Sequence, residues 1–387
     1  MPPVEAEPVT DRPYFLVDSQ EGLERAALAL STCPRLYLDT EFESGRGPTR
    51  LCLLQISSGA DIFLVDTLKL NKLEVLAQAL ARPEVEWVLH AGLQDLALLE
   101  QRLHLRAPQR LFDTQVAYAL VSAEANVSLA YLRHRFLGIA SDKAHQADDW
   151  LRRPLPESQL RYAASDVQHL PALTELLTQR AEAKDRLPLV FEASHEALEP
   201  TREPPPPISL ESFRNAWQLG PRSQAGLRFL IEWYNQLSSD DKLSAPDLKT
   251  LLAVAARMPE NPDALGRIKG ASPGFVRQHG KQLVQGLAER ALKAVSTDFV
   301  PIEPLPYATF AEIRCEAWLG LLRAEICAAL EVSPEHVLPA RVLRELKAKL
   351  QESRPVRLSD ALRGYRKRLL ASAIDEFCAR QPPPSAT

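Results

Sequence analysis

Short runs of Leu, Val, Ile and aromatic residues recur through the first half of the chain, separated by polar or glycine-containing connections. Runs of this length and composition predict β-strands. The clearest are YFLVDS, RLYLDTEF, LCLLQISS, DIFLVDT and EWVLHA. The three between Leu36 and Thr67 follow one another closely, which predicts antiparallel hairpins.

Apolar residues at helical spacing lie between and after these strands and predict helices. The helices are expected near residues 72–81, 92–103, 113–121, 128–136 and 157–183. Hairpins followed by strands that are linked through helices predict an α/β domain, with a mixed sheet flanked by helices.

Proline-rich segments divide the chain, because a run of prolines enters neither a sheet nor a helix interior. EPTREPPPPIS is the clearest boundary, and STDFVPIEPLP is a second. Helical spacing of Leu, Trp and Phe after each boundary predicts two all-α domains. The predicted order is a disordered lead (1–12), the α/β domain (13–198), a linker (199–208), a helical domain (209–294), a linker (295–306), a second helical domain (307–380) and a disordered tail (381–387).

The composition of the 387 residues, 45% hydrophobic and 25% charged, fits a globular protein of two or three domains. No apolar run reaches membrane-spanning length, and MPPVEAEPVTDRP lacks the regions of a signal peptide. The five cysteines form no CxxC pair, which argues against zinc. We therefore expect a cytoplasmic protein with no membrane partner.

Charge is distributed unevenly along the chain. Residues 1–200 hold 20 Lys and Arg against 29 Asp and Glu, whereas residues 201–387 hold 26 against 21. An acidic half joined to a basic half suggests metal chemistry beside phosphate binding. Chance variation between two solvated surfaces explains the same counts.

Two acids stand at the end of the strand RLYLDTEFE. Because side chains alternate along a strand, Asp39 and Glu41 project from one face. Two such carboxylates repel each other and lose hydration when the face is covered, and a divalent cation relieves both costs. Oxygen ligands of this kind suit Mg²⁺ or Mn²⁺. The alternative is that the strand ends at Leu38 and both acids lie in a solvated loop.

Three further residues are candidates for the same site. Asp95 falls in the first turn of the helix after EWVLHA, a position that the helix dipole alone favours for an acid. Tyr162 and Asp166 stand at i and i+4 on one side of an amphipathic helix, which is also typical of a structural hydrogen-bonded pair. Neither observation alone decides between a site and a structural role.

The motifs DTEF, HAGLQDL and YAASD, in this order, resemble the three exonuclease motifs of the DEDD superfamily. The tyrosine four residues before the last aspartate resembles its tyrosine-type branch. FDTQVAYAL and KAHQADDWLRRPLPESQLRYAASDVQHL are similar to the ribonuclease D family, and the resemblance covers roughly residues 12–185. The helical domains resemble the HRDC (helicase and ribonuclease D C-terminal) module, near residues 209–292 and, more weakly, 307–380.

The resemblance implies a ribonuclease H-like α/β exonuclease domain followed by two HRDC-type helical domains. It implies a metal-dependent 3′→5′ exoribonuclease that releases nucleoside 5′-monophosphates from structured RNA 3′ ends, tRNA precursors included. Asp39, Glu41 and Asp166 would hold one of two Mg²⁺ or Mn²⁺ ions. Asp39 and Asp95 would position the second through water, and Tyr162 would orient the attacking water. We expect a monomer.

Neighbouring residues are candidates for substrate contacts. Phe42 packs beside the terminal nucleotide, with backbone contacts from Thr40, or else lies in the core. His90 reaches the substrate or is buried and hydrogen-bonded, and Lys143 contacts a phosphate or is a solvated loop lysine. Basic residues of the helical domains contact RNA phosphates or form solvated helix faces; they are Arg277, Lys281, Arg363, Arg366, Lys367 and Arg368.

The sequence also departs from the family pattern. ESGRGPTRL, after DTEF, is shorter than usual and lacks an aromatic residue, and Ala147 stands where the family often has Arg. Both changes bear on substrate contacts. A DNA 3′→5′ exonuclease is one alternative, disfavoured because no polymerase or helicase segment is present. A catalytically silent nucleic-acid-binding protein is the other, disfavoured because all four acids and the tyrosine are present.

Overall fold

The chain folds into two compact units in the computed structural model, one formed by Met1–Pro200 with Phe310–Thr387 and the other by Thr201–Thr309. The structure describes residues 13–44, 49–140, 148–198, 207–238, 241–242, 245–293, 299–304, 309–351 and 357–384. The predicted lead (1–12), parts of both predicted linkers, the end of the predicted tail, Lys143 and Ala147 lie outside these ranges.

The described residues of the first unit contain one mixed sheet. Its strands are β1 (Tyr14–Val17), β2 (Arg35–Glu43), β3 (Arg50–Ser57), β4 (Ile62–Asp66), β5 (Glu86–Leu89) and β6 (Arg110–Asp113). They lie in the order β1-β4-β3-β2-β5-β6. β2, β3 and β4 pair antiparallel, whereas β1 with β4, β2 with β5 and β5 with β6 pair parallel. The predicted hairpins and mixed sheet are confirmed.

Helices connect and cover the strands. They are α1 (Gln20–Leu30), α2 (Glu74–Leu80), α3 (Leu93–Leu103), α4 (Thr114–Ala119), α5 (Leu129–Leu137), α6 (Glu157–Gln168), α7 (Leu170–Glu182) and α8 (Leu187–Leu198). The single helix predicted over 157–183 was wrong, because the chain breaks at His169 and Pro171 starts a new helix. The structure also contains α1, α8 and the short strand β6, which were not predicted from the sequence.

The two faces of the sheet pack against different helices, as alternation along the strands requires. Leu36, Leu38 and Leu54 pack with α1, α2 and α3. Leu53 and Leu64 face the other way and pack with residues of α6 and α7. The acids of β2 therefore share their face with α6.

The second unit is all-helical in its described residues. Its helices are α9 (Pro221–Gln236), α10 (Leu248–Arg257), α11 (Pro262–Gly266) and α12 (Pro273–Lys293). Trp233, Leu251 and Phe275 lie in its core. The buried Gln224 donates to the Val300 carbonyl (2.7 Å) and accepts from the Val300 N–H (2.9 Å).

The C-terminal helices belong to the first unit. They are α13 (Phe310–Leu330), α14 (Pro334–Val337), α15 (Ala340–Leu350) and α16 (Gly364–Arg380). Phe112 and Val116 share one hydrophobic cluster with Leu322 and Tyr365. The Ser333 N–H donates to the carbonyl of Ala119 (2.8 Å). These helices complete the core of the α/β domain, and their HRDC-like character stays a prediction.

Two of the basic residues expected to contact RNA form ion pairs within this unit. Arg366 is buried, donates to the carbonyls of Val337 (2.8 Å) and His336 (3.1 Å), and pairs with Glu196 of α8. Arg368 pairs with Glu192. The predicted RNA contact of Arg366 was wrong, because its donors are bound to protein acceptors. None of the helices in the described ranges is both long and apolar enough to span a bilayer.

Candidate active site

Asp39 and Glu41 lie within β2, which stays paired with β3 as far as Glu43. Asp39 stands opposite Gln55 and Glu41 opposite Leu53, with a register shift immediately after Glu41. The solvated-loop alternative is therefore excluded, and both carboxylates project from the same face of a paired strand.

Asp166 reaches this face from α6, which packs against β2, β3 and β4. One carboxylate oxygen each from Asp39, Glu41 and Asp166 lies within 4.8 Å of the other two. Three hard oxygen donors at this spacing, on a strand and a packed helix, fit a divalent cation such as Mg²⁺ or Mn²⁺.

Asp95 lies in the first turn of α3, and a tight turn after β5 sets its position. Ala91 adopts a left-handed conformation (φ 55°), and a Cβ on Gly92 would lie 2.7 Å from Cβ of Leu89. The N–H groups of Ala91 and Gly92 donate to the two carboxylate oxygens of Asp113 (3.1 and 3.0 Å). Position 92 requires glycine because the side chain of Leu89 lies too close for a Cβ atom. The turn places the start of α3 beside β2, where Asp95 meets Thr40.

Asp95 is 8% exposed, and its carboxylate accepts a hydrogen bond from the Thr40 hydroxyl (2.5 Å). Asp95 is not among the three acids whose oxygens all lie within 4.8 Å, but its charge acts strongly on Asp39. Thr40, expected to contact the substrate, thus fixes Asp95 through its side chain. Its backbone contact with substrate stays a prediction.

Burial and mutual repulsion dominate the electrostatics of the four acids. Burial, followed by repulsion from the neighbouring carboxylates, raises the pKa of Asp39 well above its ordinary value. Burial and the charges of Asp166 and Asp95 raise the pKa of Glu41 to about 9. Burial raises the pKa of Asp95 and that of Asp166 to about 6. Positive charge at this cluster would relieve the repulsion, which is the property expected of a metal centre.

Tyr162 lies one turn before Asp166 on α6 and forms a side-chain hydrogen bond with it. Burial, and then the charges of Asp166 and Glu41, raise the pKa of Tyr162 far above its ordinary value. The phenol therefore stays neutral. Its ring lies near the buried Trp150, with ring centroids 6.4 Å apart.

Two charged residues at this site were not predicted from the sequence. Arg133 of α5 is buried, and its Nη1 lies 3.4 Å from Oδ1 of Asp166. Nothing in the ordinary amphipathic pattern of LAYLRHRFL marks this arginine. Asp148 adds a further repulsive charge near Glu41 and accepts from Nε2 of Gln159 (3.0 Å). The adjacent acids in the segment ADDW were a sequence feature that could have marked Asp148 as a candidate.

The other predicted substrate contacts differ in accessibility. Phe42 is 36% exposed and follows the register shift in β2, so it is not a core residue. Nδ1 of His90 lies 2.9 Å from Oγ1 of Thr114, and Nε2 lies 2.9 Å from the carbonyl oxygen of Val127. Both ring nitrogens are thus occupied by protein, which matches the structural alternative; a substrate contact by His90 stays a prediction.

Comparison with known proteins agrees with this geometry. A family model described as a 3′→5′ exonuclease matches residues 14–182, and an HRDC domain model matches residues 247–287. Ribonuclease D of Pseudomonas paraeruginosa is 32% identical over 351 residues, which is 89% of this chain and 92% of that protein. The chain belongs to the ribonuclease D family. This membership confirms the predicted 3′→5′ exoribonuclease and disfavours a catalytically silent protein.

Solved structures of ribonuclease D relatives share the fold. The crystal structure of Escherichia coli RNase D matches with a TM-score of 0.70 and 26% identity, over 96% of this chain and all of that one. The catalytic core of RRP6 from Trypanosoma brucei matches with a TM-score of 0.56 and 22% identity, over 75% of this chain and 83% of that one. The predicted fold class, an α/β exonuclease domain followed by helical modules, is confirmed.

Proposed function

We propose that this member of the ribonuclease D family trims the 3′ ends of structured RNA, tRNA precursors among them, in a reaction that requires two divalent metal ions. One observation carries the proposal: carboxylates from two separated segments, β2 and α6, converge within 4.8 Å of one another. The E. coli relative is described as an exoribonuclease involved in structured RNA processing, which supports the substrate class.

The acids divide between two cation positions in this proposal. Asp39, Glu41 and Asp166 would hold one Mg²⁺ or Mn²⁺ ion, and Asp39 and Asp95 would position the second. When bound, the ions supply a water of lowered pKa and stabilise charge on the attacking and leaving oxygens. The hydrogen bond from Thr40 keeps Asp95 turned toward the site.

Tyr162 acts as a neutral phenol. Because burial, and then the surrounding carboxylates, raise its pKa, it does not serve as a base at neutral pH. Its hydroxyl instead orients the attacking water beside Asp166. Phe42, exposed at the end of β2, offers a ring face to the terminal nucleotide. Lys143 is proposed as a phosphate contact from the sequence alone, and the protein as a cytoplasmic monomer.

The test is a digest of a 3′-extended tRNA precursor, labelled at its 5′ end, by the full-length protein with Mg²⁺ or Mn²⁺. We expect stepwise shortening from the 3′ end and release of nucleoside 5′-monophosphates, which chromatography identifies. Asp39→Asn, which removes a ligand charge while keeping the side-chain shape, should reduce cleavage to background.

A matched DNA oligonucleotide tests the alternative substrate. Faster digestion of the DNA than of the RNA would identify a DNA exonuclease. Full activity of Asp39→Asn, or shortening from the 5′ end, would contradict the proposed site and reaction.

A further inference from the structure

Gln55 lies in the middle of β3 and is 0% exposed. Neither its amide oxygen Oε1 nor its amide nitrogen Nε2 has a hydrogen-bond partner among the residues that the structure describes. A buried amide without partners is costly, and folded proteins keep few of them. This one therefore requires an explanation.

The register of the sheet gives Gln55 a specific neighbour. It stands directly opposite Asp39 on β2, and opposite Leu64 on β4. Residues directly opposite each other in an antiparallel pair project from the same face, with Cβ atoms about 4.5–5.5 Å apart. The amide therefore shares the covered face of the sheet with the Asp39 carboxylate, within reach of one bridging water.

A second buried glutamine shows how this fold treats a purely structural amide. Gln224 is 1% exposed, and both its amide oxygen and its amide nitrogen bond to the backbone of Val300. Gln55 is equally buried and equally polar but lacks such partners. Gln55, the glutamine without partners in the described ranges, is the one that stands opposite Asp39, a carboxylate of the proposed metal site.

We propose that Gln55 is a positioning residue for Asp39. In the metal-bound protein its amide N–H donates to the Asp39 carboxylate through one buried water, which holds the carboxylate turned toward the cation. Outer partners of this kind fix the orientation of metal-ligating carboxylates. The inference rests on the proposed function, since it assigns Asp39 to the metal.

The test compares Gln55→Met with Gln224→Met in the full-length protein, because Met has nearly the shape of Gln without its hydrogen-bonding groups. Gln55→Met removes an unpaired amide, so the metal-free protein should melt at the native temperature or above it. Gln224→Met removes two hydrogen bonds and should melt lower. Calorimetric titration with Mn²⁺, without substrate, should show affinity weakened about 10- to 100-fold in Gln55→Met and unchanged in Gln224→Met.

Gln55→Asn provides a second measurement, because it keeps the amide on a shorter side chain. We expect it to recover part of the Mn²⁺ affinity lost in Gln55→Met. Native Mn²⁺ affinity in Gln55→Met, or a Gln55→Met protein that melts lower or does not fold, would overturn the role of Gln55. Absence of Mn²⁺ binding in the native protein would instead contradict the proposed metal site.

Discussion

Nη1 of Arg133 lies 3.4 Å from Oδ1 of Asp166, so a buried guanidinium group lies beside one carboxylate of the acidic cluster. The same Nη1 lies 3.5 Å from Oγ of Ser165, and Nε of Arg133 has no partner in the described part of the chain. Burial lowers the pKa of Arg133, whereas Asp166 opposes that shift. Arg133 thus compensates part of the charge that the four acids bring together.

Arg133→Met should destabilise the metal-free protein, because it leaves Asp166 buried without its cationic partner; loss of one member of a buried pair costs about 3–5 kcal/mol. Mn²⁺ should restore stability, and the rise in melting temperature with Mn²⁺ should exceed that of the native protein. Thermal melts with EDTA and with Mn²⁺ measure both.

The double variant Arg133→Met/Asp166→Asn provides the control. If the two side chains interact, the second substitution removes the uncompensated charge and recovers stability lost in the first. Strictly additive changes in the free energy of unfolding would contradict the pairing of Arg133 with Asp166.

Stability of the metal-free protein should fall as pH rises. The raised pKa values mean that the folded state binds protons more tightly than the unfolded state. The stabilisation from Asp95 and Asp166 is present when they are protonated, and it is lost as pH rises through their pKa of about 6. The stabilisation from protonated Glu41 is lost as pH rises through its pKa of about 9. Melting temperatures in EDTA between these pH values should therefore decrease.

Mn²⁺ should oppose this decrease, most strongly at the higher pH, where the carboxylates are ionised. A ligand at a hundred times its Kd adds about 2.7 kcal/mol to stability. In Asp166→Asn both the slope with pH and the response to Mn²⁺ should diminish. A melting temperature that is unaffected by Mn²⁺ across this range would count against the metal site.

Tyr162→Phe should retain Mn²⁺ binding and lose most of the cleavage rate. The hydroxyl contacts Asp166 through a hydrogen bond, but the carboxylates alone supply the charge of the site. Removing a group that positions the attacking water costs about 10²-fold in rate. Single-turnover digestion of labelled RNA measures the rate, and the melting shift with Mn²⁺ measures binding; parallel loss of both would reject this role.

Arg366→Met should destabilise the first unit without weakening RNA binding, because Arg366 bonds to the carbonyls of Val337 and His336 and to Glu196. Loss of such bonds costs about 1–3 kcal/mol. Arg363→Met is the matched control, since Arg363 is exposed on the same helix region. It should leave the melting temperature unchanged and weaken RNA binding in a filter-binding titration. If Arg366→Met instead weakened RNA binding and left the melting temperature unchanged, Arg366 would be an RNA contact.

The sequence by itself determined the elements that depend on local pattern. Alternation along RLYLDTEFE placed Asp39 and Glu41 on one face, and helical spacing placed Tyr162 one turn from Asp166. Short connections determined the hairpins of β2, β3 and β4. Local periodicity and turn length are properties of neighbouring residues, so a single sequence contains them.

Only the tertiary structure decided which distant residues meet. The contact of Arg133 with Asp166, the position of Gln55 opposite Asp39 and the pairing of Arg366 with Glu196 join residues far apart in the chain. The same holds for the C-terminal helices, which share a core with the α/β domain. Their amphipathic pattern shows that they bury one face, but the identity of the surface that covers it is set by long-range packing.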